Sequence, residues 1–127
     1  MSPEQRVFTE IRRICKSLYG EAVYDYKPPE EEVIPYPIIH IGEFLSQNKR
    51  LHKMNLNGDA QITLHFWHNN VRQRGTLSKM MSDVENAVIL QLGVEAEDVN
   101  IRVLEDRSTA ITLLHGIVEF NIKRYKN

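Results

Sequence analysis

The chain has little from which to build a covalent or cofactor-dependent framework. Its 127 residues include one cysteine, Cys15, which excludes an intrachain disulfide and suits a reducing compartment. Net charge is nearly absent: sixteen Lys and Arg stand against seventeen Asp and Glu. A nucleic-acid-binding domain is usually strongly basic, so this balance speaks against that class. The same balance does little to hold copies of the chain apart, which is compatible with self-association. No apolar run approaches a membrane span, and the opening MSPEQRVFTE has neither the basic start nor the apolar core of a signal peptide. The expectation is a soluble protein, made in the cytoplasm, that does not engage a membrane.

The usual catalytic signatures are missing too. There is no G-x-G-x-x-G, no G-x-x-x-x-G-K-[ST] and no G-x-S-x-G. Carboxylates cluster at Glu30, Glu31 and Glu32 beside two prolines, and at Glu95, Glu97 and Asp98 after a helix, where such runs are usually solvated. His65 and His68 flank Phe66-Trp67, but residues three apart on a strand face opposite sides of a sheet, so their rings diverge. His40 and His115 belong to other strands and could meet His65. Histidines that are hydrogen-bonded or solvent-facing are the expected outcome there, with no metal, no cofactor and no enzymatic activity.

What is present reads as one domain spanning residues 1–127, with an ordinary 42% of hydrophobic and 26% of charged residues. A first helix is announced by Ser2 as N-cap, Pro3 at the first helical position and Gln5 completing a capping box. Val7, Ile11, Ile14, Cys15 and Leu18 form its apolar stripe, and Gly20 stops it. Cys15 on that stripe is a core residue rather than a reactive thiol. Residues 23–26 suggest a short strand, 27–32 an exposed Pro-Glu connector, 38–42 a mostly buried strand and 43–58 a loop.

From Asp59 to His68 the pattern alternates: Ala60, Ile62, Leu64 and Phe66 face one way, and Gln61, Thr63, His65 and Trp67 the other. A turn containing Arg72, Arg74 and Gly75 leads to Thr76 as the N-cap of a second helix. Leu77, Met80, Met81, Val84, Val88 and Leu92 make its apolar face, and Gly93 ends it. Val99, Ile101 and Val103 alternate in a further strand, 105–108 turns, and 109–125 holds a last strand with Gly116 marking a bulge or bend. Two helices are too few for a doubly wound sheet. The fold class is therefore α+β, with an antiparallel or mixed sheet of four to five strands and both helices packed on it. Trp67, on the face opposite Phe66, must be covered by something, and burial within the fold is the expectation.

Two segments are basic: Lys49, Arg50, His52 and Lys53 in one, Arg72 and Arg74 in the other. They are either solvated loops or contacts for an acidic protein surface or a nucleic-acid backbone. Aromatic residues for base stacking are absent from both, which weakens a nucleic-acid-binding adaptor using residues 47–56 and 72–75.

The order of segments resembles a known family. Tyr36-Pro37-Ile38-Ile39-His40-Ile41-Gly42-Glu43 is similar to the PYPYVVLGE stretch of siphophage tail-completion proteins. Ile62-Thr63-Leu64-His65-Phe66-Trp67 resembles their VTLTLHVWS strand, and His115-Gly116-Ile117-Val118-Glu119-Phe120 their HGVLRFR strand. The resemblance runs from about residue 23 to 123 and points to the tail terminators, or tail-to-head joining proteins, of phages and prophages. It implies a minor tail protein of the virion that forms a hexameric ring with itself. The ring would cap the tail-tube protein, stop its polymerisation, meet the head–tail connector and let DNA pass through its lumen without reading sequence. Lys49, Arg50, His52, Lys53, Arg72 and Arg74 are then the expected protein–protein contacts.

Overall fold

Pro3 fits a first helical turn because its missing N–H has no partner there in any helix. The computed structural model describes residues 3–26, 34–47 and 59–123, and its first element, α1, is the helix Pro3–Tyr19. Ile11, Ile14 and Cys15 are fully buried, while Leu18 is 43% exposed. Phe8 and Tyr19 pack against the core in its place. The buried stripe is thus rotated toward 8, 11, 15 and 19, and Tyr19 can turn inward because its hydroxyl donates to Asp83 at 2.7 Å. The expected cap, Ser2, lies outside the described residues. Gly20, at φ +55°, breaks the helix into a short 3-10 turn, Gly20–Ala22.

Strand β1 is only Val23–Tyr24 and runs parallel to β2, Ile38–Gln47. The connector at 27–32 lies outside the described residues. Residues 43–47, expected in a loop, extend β2 instead. A bulge shifts the register between Ile41 and Phe44, so Phe44 meets Ile62 on the side where Ile41 meets Leu64. Apolar residues three apart then share one face, a spacing that period-two reading does not recognise.

Strand β3 spans Asp59–His68 as expected, with Ala60, Ile62, Leu64 and Phe66 buried. Next come a 3-10 turn, Val71–Gln73, and α2, Arg74–Leu92. Thr76 is therefore inside the helix, its hydroxyl donating to Gln73 Oε1 at 2.7 Å, not capping it. The Asn70 side chain accepts the Arg72 N–H at 3.0 Å, which lets the chain coil before Thr76 is reached. Gly93, at φ +67°, closes α2, its N–H bonded to the Ile89 carbonyl. Strand β4 is Val99–Asp106 and β5 is Leu113–Ile122. The turn expected at 105–108 falls later, with the Asp106 carboxylate accepting from both Ser108 N–H and Oγ.

Gly116 marks no bulge, since pairing with β3 and β4 continues through it. A Cβ there would lie 2.5 Å from Met81 Sδ and 3.3 Å from Phe66 Cβ, so glycine lets α2 press onto β5.

The sheet runs β1-β2-β3-β5-β4, parallel only at β1–β2, giving an α+β fold with a mixed five-stranded sheet and two helices. Residues of both helices share one apolar cluster with Ile39, Ile41, Leu64, Phe66, Val118 and Phe120, so both helices cover the same face. The opposite face carries only a small second cluster of Ile38, Trp67 and Leu113, with Tyr24, Ile34 and Tyr36 against it. Among the described residues, no helix covers the rest of that face, and none is long and apolar enough to cross a membrane.

Candidate functional site

The face that no described helix covers (the uncovered face) is organised by cross-strand neighbours. Trp67 stands between Ile38 and His115, and His115 next to Leu104. One row further along, His65 stands between His40 and Ile117, and Ile117 next to Arg102. Beyond these lie Thr63, Glu119 and Asn100, then Leu45, Gln61 and Asn121. Three histidines and the single tryptophan thus come from three different strands onto one patch.

Their rings are ordered against one another. His115 lies flat on the Trp67 indole, with centroids 3.8 Å apart and planes within 8°. Its Nε2 is 2.8 Å from His65 Nδ1, and the His65 Nε2 is 3.3 Å from Glu43 Oε2. His40 lies alongside His65 at 5.4 Å between centroids. The His65 ring crosses directly over Gly42, where a Cβ would fall 2.7 Å from its Cδ2 and 2.8 Å from its Nε2. A glycine at the bulge is what lets this imidazole lie down on the sheet.

The tautomers follow from the network. A carboxylate can only accept, so a neutral His65 that donates its Nε2–H to Glu43 has a bare Nδ1, which then accepts the Nε2–H of His115. Glu43 is held below the ordinary carboxylate range, first by its own backbone N–H and then by His65, against an opposing effect of partial burial. His65 is largely covered, whereas Glu43 is two-thirds exposed. The result is a continuous Glu43–His65–His115 chain ending on an indole face.

Beside the chain, Asn100, Ile101, Arg102, Ile117 and Glu119 line an open depression of about 260 Å³. Glu119 takes a hydrogen bond from Gln61 at 3.0 Å and faces Arg102 at 3.5 Å. Glu119 thus ties Gln61 to Arg102 on a polar surface with an aromatic end. Among the described residues, no three His, Cys, Asp or Glu side chains converge as ligands of a metal would. His68 points to the helix side, as the strand geometry requires, and its Nδ1 accepts the Asn70 N–H at 3.2 Å.

The contacts expected at Lys49, Arg50, His52 and Lys53 lie outside the described residues. Arg72 and Arg74 are exposed, one in the 3-10 turn and one opening α2, and neither belongs to the sheet that carries the ring cluster. Sequence reasoning passed over Glu43 and Gly42. The only signal for them is their position two or three residues after His40, and that signal becomes legible only once the bulge is known. Comparison with known protein families and with curated proteins finds no match for this chain.

Proposed function

We propose that this protein is a structural subunit of a phage or prophage tail, one that caps the head-proximal end of the tail tube as a hexameric ring and joins tail to head. The resemblance of its three strand motifs to tail terminators suggests the assembly. The observation that carries the reading is the two-sidedness of the sheet. Both helices protect one face, while the other presents an ordered, polar and aromatic surface flanked by exposed Leu45 and Leu104. A closed ring needs two different complementary patches on each copy, and a subunit with two unlike faces can supply them. The role is that of a docking surface, with the tube protein on one side, the connector on the other and DNA in the lumen.

Light scattering and negative-stain imaging of the protein, alone and mixed with its tail-tube protein, test this. Six-membered rings and tubes of limited length are expected. Tubes that grow equally long with and without the protein would sink the reading. Charge reversal at Lys49, Arg50 and Lys53 together is expected to lengthen tails or block head joining.

A further inference from the structure

The sheet ends in two unlike edges. At one, β1 contributes two residues, and β2 beside it is bulged between Ile41 and Phe44. Short edge strands and bulges are two of the devices that keep a sheet from adding strands. At the other edge, β4 is eight residues long and pairs with β5 in unbroken register along its whole length. Its sequence, VNIRVLED, contains no proline, glycine or lysine. The outer row of β4 backbone N–H and C=O groups meets no described strand, and it is regular enough to accept one.

The side chains of β4 are apolar and exposed on both faces. Ile101 stands on the helix side, opposite Val118, yet is 46% exposed. On the uncovered face, Leu104 is 40% exposed, with Arg102 before it and Asp106 after it along the strand. That order of charge selects a partner. A second β4, laid antiparallel about a two-fold axis through Leu104, sets Leu104 against Leu104 and each Arg102 against Asp106 of the other copy. Parallel in-register pairing sets like charge beside like, and an axis through Arg102 sets guanidinium against guanidinium. An axis through Val103 leaves Arg102 opposite Leu104. Arg102 already faces Glu119 at 3.5 Å, and Asp106 already holds Ser108. Neither has to give up its partner, because a guanidinium carries five N–H donors and a carboxylate about four lone-pair sites.

We propose that β4 is a self-recognition edge, through which two copies of this chain pair antiparallel around Leu104. The axis stands normal to the sheet, so the helices of both copies stay on one side and the two five-stranded sheets run on as one. With sixteen basic against seventeen acidic residues, little net repulsion opposes the approach. The contact uses the same patch on both copies and therefore stops at two, unlike the head-to-tail contacts of a ring. It is a property of the chain whether or not the protein caps a tail tube.

Sedimentation equilibrium and amide hydrogen exchange of the whole chain over a range of concentrations test this. A monomer–dimer equilibrium is expected, with alternate β4 amides gaining protection as the dimer fills. Leu104→Lys places two ammonium groups at the axis. Because Leu104 is exposed, the variant is expected to keep the wild-type thermal midpoint while its dimer dissociation constant rises at least about tenfold. Leu104→Cys provides a second reading that does not depend on affinity, since the chain's own Cys15 is buried. Mild oxidation is expected to link two copies through position 104, and to link the Val103→Cys variant far less. A wild type that stays monomeric at its highest soluble concentration overturns the proposal. So does a dimer that Leu104→Lys leaves intact, or one that links through position 103 in preference to 104. Six-membered rings that form equally in the wild type and in Leu104→Lys, with no dimer in either, would support the tail reading and overturn this one.

Discussion

The two faces of this sheet are built on different physics from the same strands. On the helix side, Ala60, Ile62, Leu64 and Phe66 of β3 and Leu114, Val118 and Phe120 of β5 are sealed under α1 and α2, and shape decides what fits. On the other side, the alternate residues of the same strands are His65, Trp67, His115, Glu119 and Gln61, and directional contacts decide the arrangement. Each face has one glycine whose missing Cβ makes room: Gly116 for Met81, Gly42 for the His65 ring. The comparison shows that a sheet can order a polar surface with no described helix over it by stacking and hydrogen-bonding its rings.

Truncation on the covered face tests the packing side most severely. Phe66 is fully buried between the helices and the sheet, and Phe66→Ala is expected to lower stability by about 3–5 kcal/mol in urea unfolding. A loss under about 1 kcal/mol would mean that the covered face is not the core. Gly116→Ala comes next, because the added methyl enters the space of the Met81 thioether. Met81 is buried and can shift only by disturbing its neighbours, so about 1–3 kcal/mol is expected. Met81→Ala in the same chain should recover part of the overpacking term, which a bulge at Gly116 would not predict.

The covered face is also the more legible one in sequence, for a physical reason. Helical and strand periodicities are local, so Leu77, Met80, Met81, Val84 and Val88 on α2 and Ala60, Ile62, Leu64 and Phe66 on β3 identify themselves. Local reading also places His65 and Trp67 together on the opposite face and His68 away from them. It cannot supply cross-strand register, which is what brings His40 and His115 to His65. The bulge at 42–43 hides the second half of β2 and with it the approach of Glu43. Gly116 illustrates the same limit: a glycine in a strand announces something unusual, but its partner lies on a helix 35 residues earlier in the chain.

The faces also titrate differently. Burial pushes the Cys15 thiol from an ordinary 9.0 up to about 12. A group whose folded value is raised contributes stability that is complete below the ordinary value and is lost as pH rises through the folded one. Between pH 9 and 12, Cys15 is therefore expected to remove up to about 1.4 kcal/mol per pH unit. Tyr19, raised to about 12 by burial and its bond to Asp83, acts in the same direction. Cys15→Ala should show a shallower alkaline decline than the wild type in urea midpoints, and an identical slope would remove Cys15 from the account. Truncating the ring stack is a smaller perturbation. His115→Ala leaves Trp67 without its partner and is expected to cost about 0.5–1.5 kcal/mol, with increased accessibility of the indole to acrylamide quenching.

The smallest expected effect lies at the open end of the histidine chain and has the opposite sign in pH. Glu43 is held below its ordinary 4.5, so its contribution is present above that value and disappears as pH falls through the folded one. Because the side chain is two-thirds exposed, solvent screens the interaction, and about 0.2–0.5 kcal/mol is the expected scale. Glu43→Gln should be slightly less stable than the wild type at pH 6, and the two should converge as the pH falls through the lowered folded value and the wild-type carboxylate takes up a proton. A gap that stays constant over that range would mean Glu43 acts through shape alone. Convergence in acid here, beside the alkaline decline from Cys15, would show that the covered face fails when it is forced to carry charge. The uncovered face weakens when it is deprived of one.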